Sequence, residues 1–456
     1  MKHLTPQIIA EITGGRYVGG EGMRHIRVRG AVRDNRDVMP GNLFVCFKGS
    51  RADGHSYAKN AFEAGASCCL TERELPDAAG PYVIVGSTAE AIRTIGEYHR
   101  SLFDIPVIGI TGSVGKTTAK ELVAAALGAR YRVLKTEKNL NNELGVPLTL
   151  LAIDEQHEAA VIEMGISGFG EMSRLAQMVR PDFFIITKIG YAHLEALGDL
   201  NGVLRAKTEA FACMKPDGIA IVNGDDELLL GYDPGLRKVT YGLGEHNDVC
   251  LKDIGGRFSC VVKSQESRLT TPPFEIKIPA YGKHIAELAG AAVAAGLLLG
   301  LTGAEIAEGL TAYEPISGRA DITKTGYITL IDDCYNANPN SVKAALASLS
   351  ELSSPRVAIL GDMLELGPQS ADLHRQIGIF AAGSHVDRLI CCGDMAIFIY
   401  EGFISASGGK EAMHYRTKAE LMAMLHRLIK KDDTVLVKAS NGMQFNEIAQ
   451  RLMLMG

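Results

Sequence analysis

The chain has 456 residues, 46% of them hydrophobic and 22% charged, the balance of a folded globular protein rather than a disordered one. Forty-seven Lys and Arg against 53 Asp and Glu leave a formal net charge of −6. That argues against a main role in neutralising nucleic-acid phosphates or an anionic membrane, though it leaves room for a local basic pocket.

At ~150 residues per domain the length suggests about three domains. The N-terminal segment MKHLTPQIIAEITGG is broken by polar and charged residues and lacks the apolar core of a secretory signal. From Met1 to Ser101, short strand-like runs (NLFVCF, PYVIV) mix with Gly-rich turns and a helical pattern at Tyr57–Ala64. The texture changes at Leu102. The apolar runs IPVIGI, AAVIEMG, FFIITKI and GIAIVNG alternate with helical patterns at Lys116–Leu127, Glu171–Val179 and Leu200–Met214. Such an alternation predicts a parallel sheet covered on both faces.

The longest apolar run, Leu288–Leu301, is too short to span a bilayer, contains three glycines and reads as a buried helix. After Pro315 the alternation restarts with YITLID, RVAILGD, DRLICCG and TVLVKAS, separated by helices such as Ser341–Leu352; Tyr313–Gly318 is the expected linker. The expectation is an α/β protein of three domains, 1–101, 102–314 and 315–456, at least two of them doubly wound. Nine cysteines include the adjacent pairs Cys68-Cys69 and Cys391-Cys392 and no Cys-x-x-Cys spacing. They read as small core residues of a reduced, cytoplasmic protein.

The strongest chemical signal is IPVIGITGSVGKTTAKEL. A buried strand ends at Ile110, and the loop Thr111-Gly112-Ser113-Val114-Gly115 leads through Lys116, Thr117 and Thr118 into a helix. Glycines let backbone N–H groups close around phosphate oxygens, the helix N-terminus adds its dipole, and the lysine neutralises β/γ charge. Thr117, the first hydroxyl after the lysine, is placed to hold Mg²⁺. The strict phosphate-loop pattern wants Gly where Ile110 stands, so this is the tighter T-G-x-x-G-K-T form anchored by Gly112.

Glu163 interrupts an apolar strand near its C-terminal end, the edge where open α/β sheets bind ligands. Beside a phosphate loop it favours a Mg²⁺ ligand over a base or a mere strand tip. His193 follows another apolar strand and reads equally as ligand or turn residue; Lys207 reads as a solvated helix charge. NLNNELGVPLTLL (139–151) suits hydrogen bonding to a sugar or peptide, or simply a turn. IDDCYNANPNS places Asp332, Asp333, Tyr335, Asn336 and Asn338 at a strand end, as a helix cap or as a polar cluster facing a nucleotide.

Together TGSVGKTT, NLNNELGVPLTLL, VIEMG, AHLEALG, RAKTEAF, SGR, DDCYNANPNS and LGDMLELG occur in the order seen in the Mur ligases of bacterial cell-wall synthesis. The chain resembles that family over essentially its whole length, and RDNRDVMPGNLFVCFKGSRADGHSY resembles its UDP-binding domain. The branch it most resembles adds D-Ala-D-Ala to UDP-MurNAc-tripeptide. The resemblance implies an N-terminal UDP-binding domain, a central P-loop ATPase domain and a C-terminal Rossmann-like domain. It implies ATP and Mg²⁺, and an acyl phosphate attacked by the amine of D-Ala-D-Ala.

By the same resemblance Thr117 and Glu163 would serve one Mg²⁺, and His193 with a carbamylated Lys207 a second. Lys116 and Arg319 would meet the γ-phosphate, with His284, Asp332, Tyr335 and Asn336 bordering the nucleotide. Arg36 and Lys48 would hold the UDP portion, and Asn141, Asn142 and Ser167 the muramoyl-peptide. A cytoplasmic monomer with no nucleic-acid partner and no stable membrane insertion is expected.

Four positions in three segments depart from the family pattern. Ile285 and Leu288 replace two asparagines that contact adenine, Asn441 replaces an arginine in Lys438-Ala439-Ser440-Asn441, and Asn35 stands in Asp34-Asn35-Arg36 where serine is usual. Competing expectations are a diamino-acid-adding Mur ligase, a folylpolyglutamate-synthase-like ligase, or a paralogue that binds UDP-peptide or nucleotide without turnover.

Overall fold

The computed structural model describes residues 3–49, 52–76, 78–254, 257–263, 269–279, 283–316, 318–319 and 321–455. Ser317 of the expected linker lies outside the described residues. Three sheets follow one another along the chain. The first has the order Arg16–Val18, Tyr82–Ile84, Cys68–Thr71, Asn42–Val45, Gly30–Val32, parallel except where Arg16–Val18 pairs with Tyr82–Ile84. The expected helix at Tyr57–Ala64 is a 3-10 turn at Gly54–Tyr57 running into an α-helix at Ala58–Glu63.

The central sheet carries the phosphate loop. Strand Val107–Thr111 lies between Ala159–Glu163 and Phe183–Ile186, with Val133–Lys135 outside the former and Ile219–Asn223 then Arg237–Gly242 beyond the latter. These strands are parallel and apolar on both faces because helices cover both. Helices Lys116–Gly128 and Lys283–Leu298 pack together over one face, the latter so thoroughly buried that its long apolar run needs no polar side. No helix among the described residues is long and apolar enough to cross a membrane.

The sheet is not parallel throughout, as the sequence reading had it. Val249–Asp253, Phe258–Val262 and Phe274–Ile276 extend it as an antiparallel meander. The expected helix Leu200–Met214 is also shorter, α-helical over Leu200–Thr208 and 3-10 over Glu209–Cys213.

The third sheet has the order Asp321–Lys324, Thr329–Asp332, Thr434–Lys438, Arg356–Gly361, Arg388–Cys392, Glu411–Tyr415, with Asp321–Lys324 antiparallel to its neighbour and the rest parallel. The last strand in the sequence, Thr434–Lys438, is inserted between two earlier ones, the chain running outward from Thr329–Asp332 to Glu411–Tyr415 before it doubles back. The carboxyl ends of its parallel strands form the edge where doubly wound sheets bind ligands. One apolar cluster runs unbroken from the central domain (Ile162, Leu175, Phe184) into the third (Leu346, Leu360, Leu436), joining the two carboxyl edges across one gap. All nine cysteines are unpaired, and both adjacent pairs are buried in strands.

Arg388 and Asp433 fix the inserted strand. Their side chains are 7% and 1% exposed, and Arg388 Nη2 donates to both Asp433 oxygens at 3.0 and 2.9 Å. Asp433→Ala leaves the guanidinium buried without its counter-charge, so urea unfolding should show a loss of about 3–5 kcal/mol. A change under about 1 kcal/mol would show that water reaches the arginine.

Candidate active site

The loop after Val107–Thr111 is held open from behind. Thr111 donates its hydroxyl to Met164 O at 2.7 Å, and Thr187 donates to Val114 O at 2.5 Å. Ser113 N donates to Lys188 O at 2.8 Å, while its hydroxyl is engaged with Gly190. Gly112 has φ +151°, and a Cβ there would lie 1.9 Å from Thr187 Oγ1. Gly115 adopts φ +80° and caps the helix Lys116–Gly128, whose first N–H groups stay open to an anion. Lys116 Nζ folds back onto Gly112 O at 2.9 Å.

Register brings Glu163 to this loop, because Ile110 pairs with Glu163 across the parallel ladder. The carboxylate is 1% exposed. Its Oε1 accepts from Asn141 Nδ2 at 2.7 Å, while Oε2 is buried with no hydrogen-bond partner. A bare buried carboxylate oxygen is costly unless a cation meets it. Thr117, 5% exposed, supplies a hydroxyl on the same loop.

Cations crowd the other side. Lys207 is 1% exposed on the helix Leu200–Thr208, not solvated as its sequence context suggests. Burial, and then repulsion from Lys116, hold its pKa well below the usual lysine value. Burial likewise lowers Lys116, opposed by Glu163 and reinforced by Arg319. His193 sits in a left-handed conformation, φ +54°, at the head of the short helix Leu194–Leu197. Its pKa is lowered by burial, opposed by Glu365 at 2.6 Å and reinforced by Lys207 and Lys116.

A cavity of about 740 Å³ separates the central and third domains. It is lined by the phosphate-loop residues Ser113 to Thr118 and by Asn141, Asn142, Glu163, Ser167, His193 and His284, and from the linker and third domain by Arg319, Tyr335 and Asn336. Thr111 and Gly112 lie behind the loop, and Lys207 lies buried outside that lining. Asn142 spends its side-chain oxygen capping Leu144 and Gly145 while it lines the cavity. Arg319 lies over the Tyr335 ring, 4.0 Å from the centroid.

Asp332 is not on the cavity. Its carboxylate turns in to accept from Cys334 N at 3.2 Å, and it is Asp333 that faces the gap, paired at 2.6 Å with the buried Lys438. Lys438 also donates to Asn336 O at 3.0 Å, so it clamps the loop that carries Tyr335 and Asn336. Burial lowers the His284 pKa, with Asp333 opposing and Lys438 reinforcing.

Arg36 and Lys48 stand elsewhere, exposed at the carboxyl ends of strands Gly30–Val32 and Asn42–Val45. Arg36 Nε donates to Asp34 Oδ1 at 2.9 Å, which holds the Asp34 carboxyl down to about 2. Of the replaced asparagine positions, Ile285 is buried in the apolar cluster beneath the sheet, and Leu288 packs against Gly115 of the loop. Asn441 lines the cavity.

Sequence reasoning placed Asp333 in the polar cluster but chose Asp332 as the nucleotide-bordering acid, and it missed Glu287, whose carboxylate accepts from Asn223 Nδ2 at 3.0 Å on the cavity wall. The doublet Asp332-Asp333 held the signal, since side chains alternate along a strand.

Among the described residues no cluster of three or more His, Cys, Asp or Glu could hold a metal ion. A divalent cation fits the site only through mixed donors: the free Glu163 oxygen, the Thr117 hydroxyl, His193 and the ligand's own phosphates.

A chain with a phosphate loop, a carboxylate oxygen without a partner beside it and a facing doubly wound domain is built to act on the phosphates of a nucleotide. Residues 28–140 match the model of the Mur ligase family catalytic domain, 110–296 that of the Mur ligase middle domain, and 318–441 that of the Mur ligase glutamate ligase domain. The chain is 36% identical to the UDP-N-acetylmuramoyl-tripeptide--D-alanyl-D-alanine ligase of Bacillus subtilis over 98% of both proteins. A crystal structure of MurF from Acinetobacter baumannii superposes with a TM-score of 0.87 at 29% identity, covering 98% of each chain. MurF from Thermotoga maritima, solved in complex with ADP, gives 0.80 at 26% identity over 93% of this chain and 97% of that one. The chain belongs to the Mur ligase family.

Gly112→Ala tests the loop geometry. The added methyl must displace Thr187 or the loop itself, so calorimetry should show ADP binding weakened at least about 10-fold with the far-UV spectrum retained. A Kd within twofold of the wild type would contradict the close packing described.

Proposed function

We propose that the chain is an ATP-dependent ligase that joins D-Ala-D-Ala to UDP-N-acetylmuramoyl-tripeptide, giving the pentapeptide precursor of peptidoglycan. The observation that carries the chemistry is the buried, unpartnered Glu163 oxygen beside a phosphate loop, facing Lys116. The substrates follow from end-to-end likeness to a ligase of that specificity.

The problem this site solves is the approach of two anions. Lys116 and Arg319 offset the charge of the γ-phosphate, so a substrate carboxylate oxygen can attack phosphorus and release ADP. The acyl phosphate then receives the amine of D-Ala-D-Ala at its carbonyl carbon. The amine loses a proton, and phosphate leaves with the original carboxylate oxygen. Thr117 and Glu163 would hold one Mg²⁺, and His193 with Lys207 a second, and the ions would supply further charge neutralisation on the phosphates. Arg36 and Lys48 hold the UDP portion at the first domain's carboxyl edge, and Asn141 and Ser167 guide the muramoyl-peptide toward the loop.

Lys207 has a second role in this reading. Burial lowers the Lys207 pKa and so favours the neutral amine, which adds to CO₂ and loses a proton to give a carbamate. That replaces a group whose protonated form is repelled by Lys116 with an anion attracted to it and able to ligate a second Mg²⁺. His284, Tyr335 and Asn336 border the nucleotide, with Asp333 in the place first given to Asp332. A monomer working in the cytoplasm, where nucleotide-linked precursors and ATP are found, completes this reading.

Phosphate release with ATP, Mg²⁺, UDP-MurNAc-tripeptide and D-Ala-D-Ala, omitting each in turn, tests the reading. Release requiring both substrates, with pentapeptide by mass, is expected; release with another amine instead would overturn the substrate assignment. Lys207→Ala should lower kcat at least about 100-fold, with partial recovery in added short carboxylates. Activity near wild type would remove Lys207 from the mechanism.

A further inference from the structure

The segment Leu360–Gly367, LGDMLELG, takes no part in the chemistry above, yet it reaches the site. Glu365 follows the third-domain strand Arg356–Gly361 and stands at φ +62°, left-handed for a non-glycine residue. Its Oε2 lies 2.6 Å from His193 Nδ1 of the central domain, itself left-handed. Two non-glycine residues in this uncommon conformation therefore meet side chain to side chain across the domain junction.

The backbones touch as well. Glu195 N approaches Glu365 O at 3.5 Å, and a Cβ on Gly367 would lie 3.4 Å from Glu195 Cα. Neighbouring contacts repeat the crossing: Asn340 Oδ1 accepts from Tyr191 N at 3.3 Å, and Asn338 Nδ2 donates to Ser113 O at 3.4 Å.

An imidazole has one proton to place when neutral. A carboxylate at Nδ1 fixes that proton there and leaves the Nε2 lone pair free, the arrangement by which outer carboxylates orient metal-binding histidines. The geometry points to Glu365 as a positioning residue: brought in by the third domain, it sets His193 as the Nδ1–H tautomer with Nε2 available to a divalent cation. The cation position then becomes complete only when the third domain is docked. This rests on the functional reading above for the cation, and on the contact alone for the tautomer.

The test uses full-length protein labelled with [15N]histidine, the His193 signals being assigned by their absence in His193→Asn. In the wild type the His193 nitrogens should resonate as a protonated Nδ1 and an unprotonated Nε2. Glu365→Ala should shift both toward the average of exchanging tautomers, whereas Glu365→Gln, which keeps an acceptor, should retain the wild-type pattern. The Mg²⁺ concentration for half-maximal phosphate release should rise about 10-fold or more in Glu365→Ala.

Wild-type tautomer and wild-type Mg²⁺ midpoint in Glu365→Ala, with circular dichroism unchanged, would overturn the proposal. An inactive wild type would instead defeat the functional reading, and the nitrogen spectra would still decide the tautomer.

Discussion

The site is organised by the crowding of positive charge against one uncompensated carboxylate oxygen. Burial lowers the proton affinity of Lys116, Lys207 and His193, Arg319 lowers Lys116 further, Lys116 lowers Lys207, and both lysines lower His193, while Glu163 opposes at Lys116 and Glu365 at His193. Left alone, such a cluster is unfavourable, because buried like charges repel and a buried bare oxygen lacks its partner. Polyphosphate and divalent cation relieve both faults together. The site is thus complementary to a phosphate in transfer to a second anion, the charge distribution an acyl-phosphate route requires.

Everything else in the fold serves to bring that cluster together. Three parallel strands deliver the loop, Glu163 and the segment leading to His193 to one edge. The inserted strand of the third sheet delivers Lys438 beside Asp333 and, one strand over, Glu365. The two edges meet across a gap because the apolar cluster is continuous between domains. Buried Arg388 and Asp433 then hold the inserted strand, so the clamp on Asn336 depends on a pair that never touches the cavity.

Much of this was legible in the sequence, for identifiable reasons. The strands IPVIGI, AAVIEMG, FFIITKI and GIAIVNG are strands because parallel strands buried on both faces must be apolar throughout, and the phosphate loop follows the first of them. The helix Glu171–Val179 begins and ends where its pattern does. Less visible were features set by distant partners. Which member of Asp332-Asp333 faces the gap depends on the phase of the strand and on Lys438, more than 100 residues away. Lys207 looked solvated because a lysine on a helix is usually exposed, and only the tertiary packing buries it. The antiparallel meander lacks an apolar run because its outer strands are only partly buried. Ile285 and Leu288, conspicuous as departures, are absorbed by packing: one lies in the core and the other rests against Gly115.

The central claim is that a carboxylate oxygen passes to phosphorus within this charge cluster. UDP-MurNAc-tripeptide labelled with ¹⁸O in the terminal carboxylate of its peptide, turned over with ATP and D-Ala-D-Ala, measures it directly. The account predicts one ¹⁸O in each phosphate released, read by mass spectrometry. Amide formation with unlabelled phosphate would contradict it.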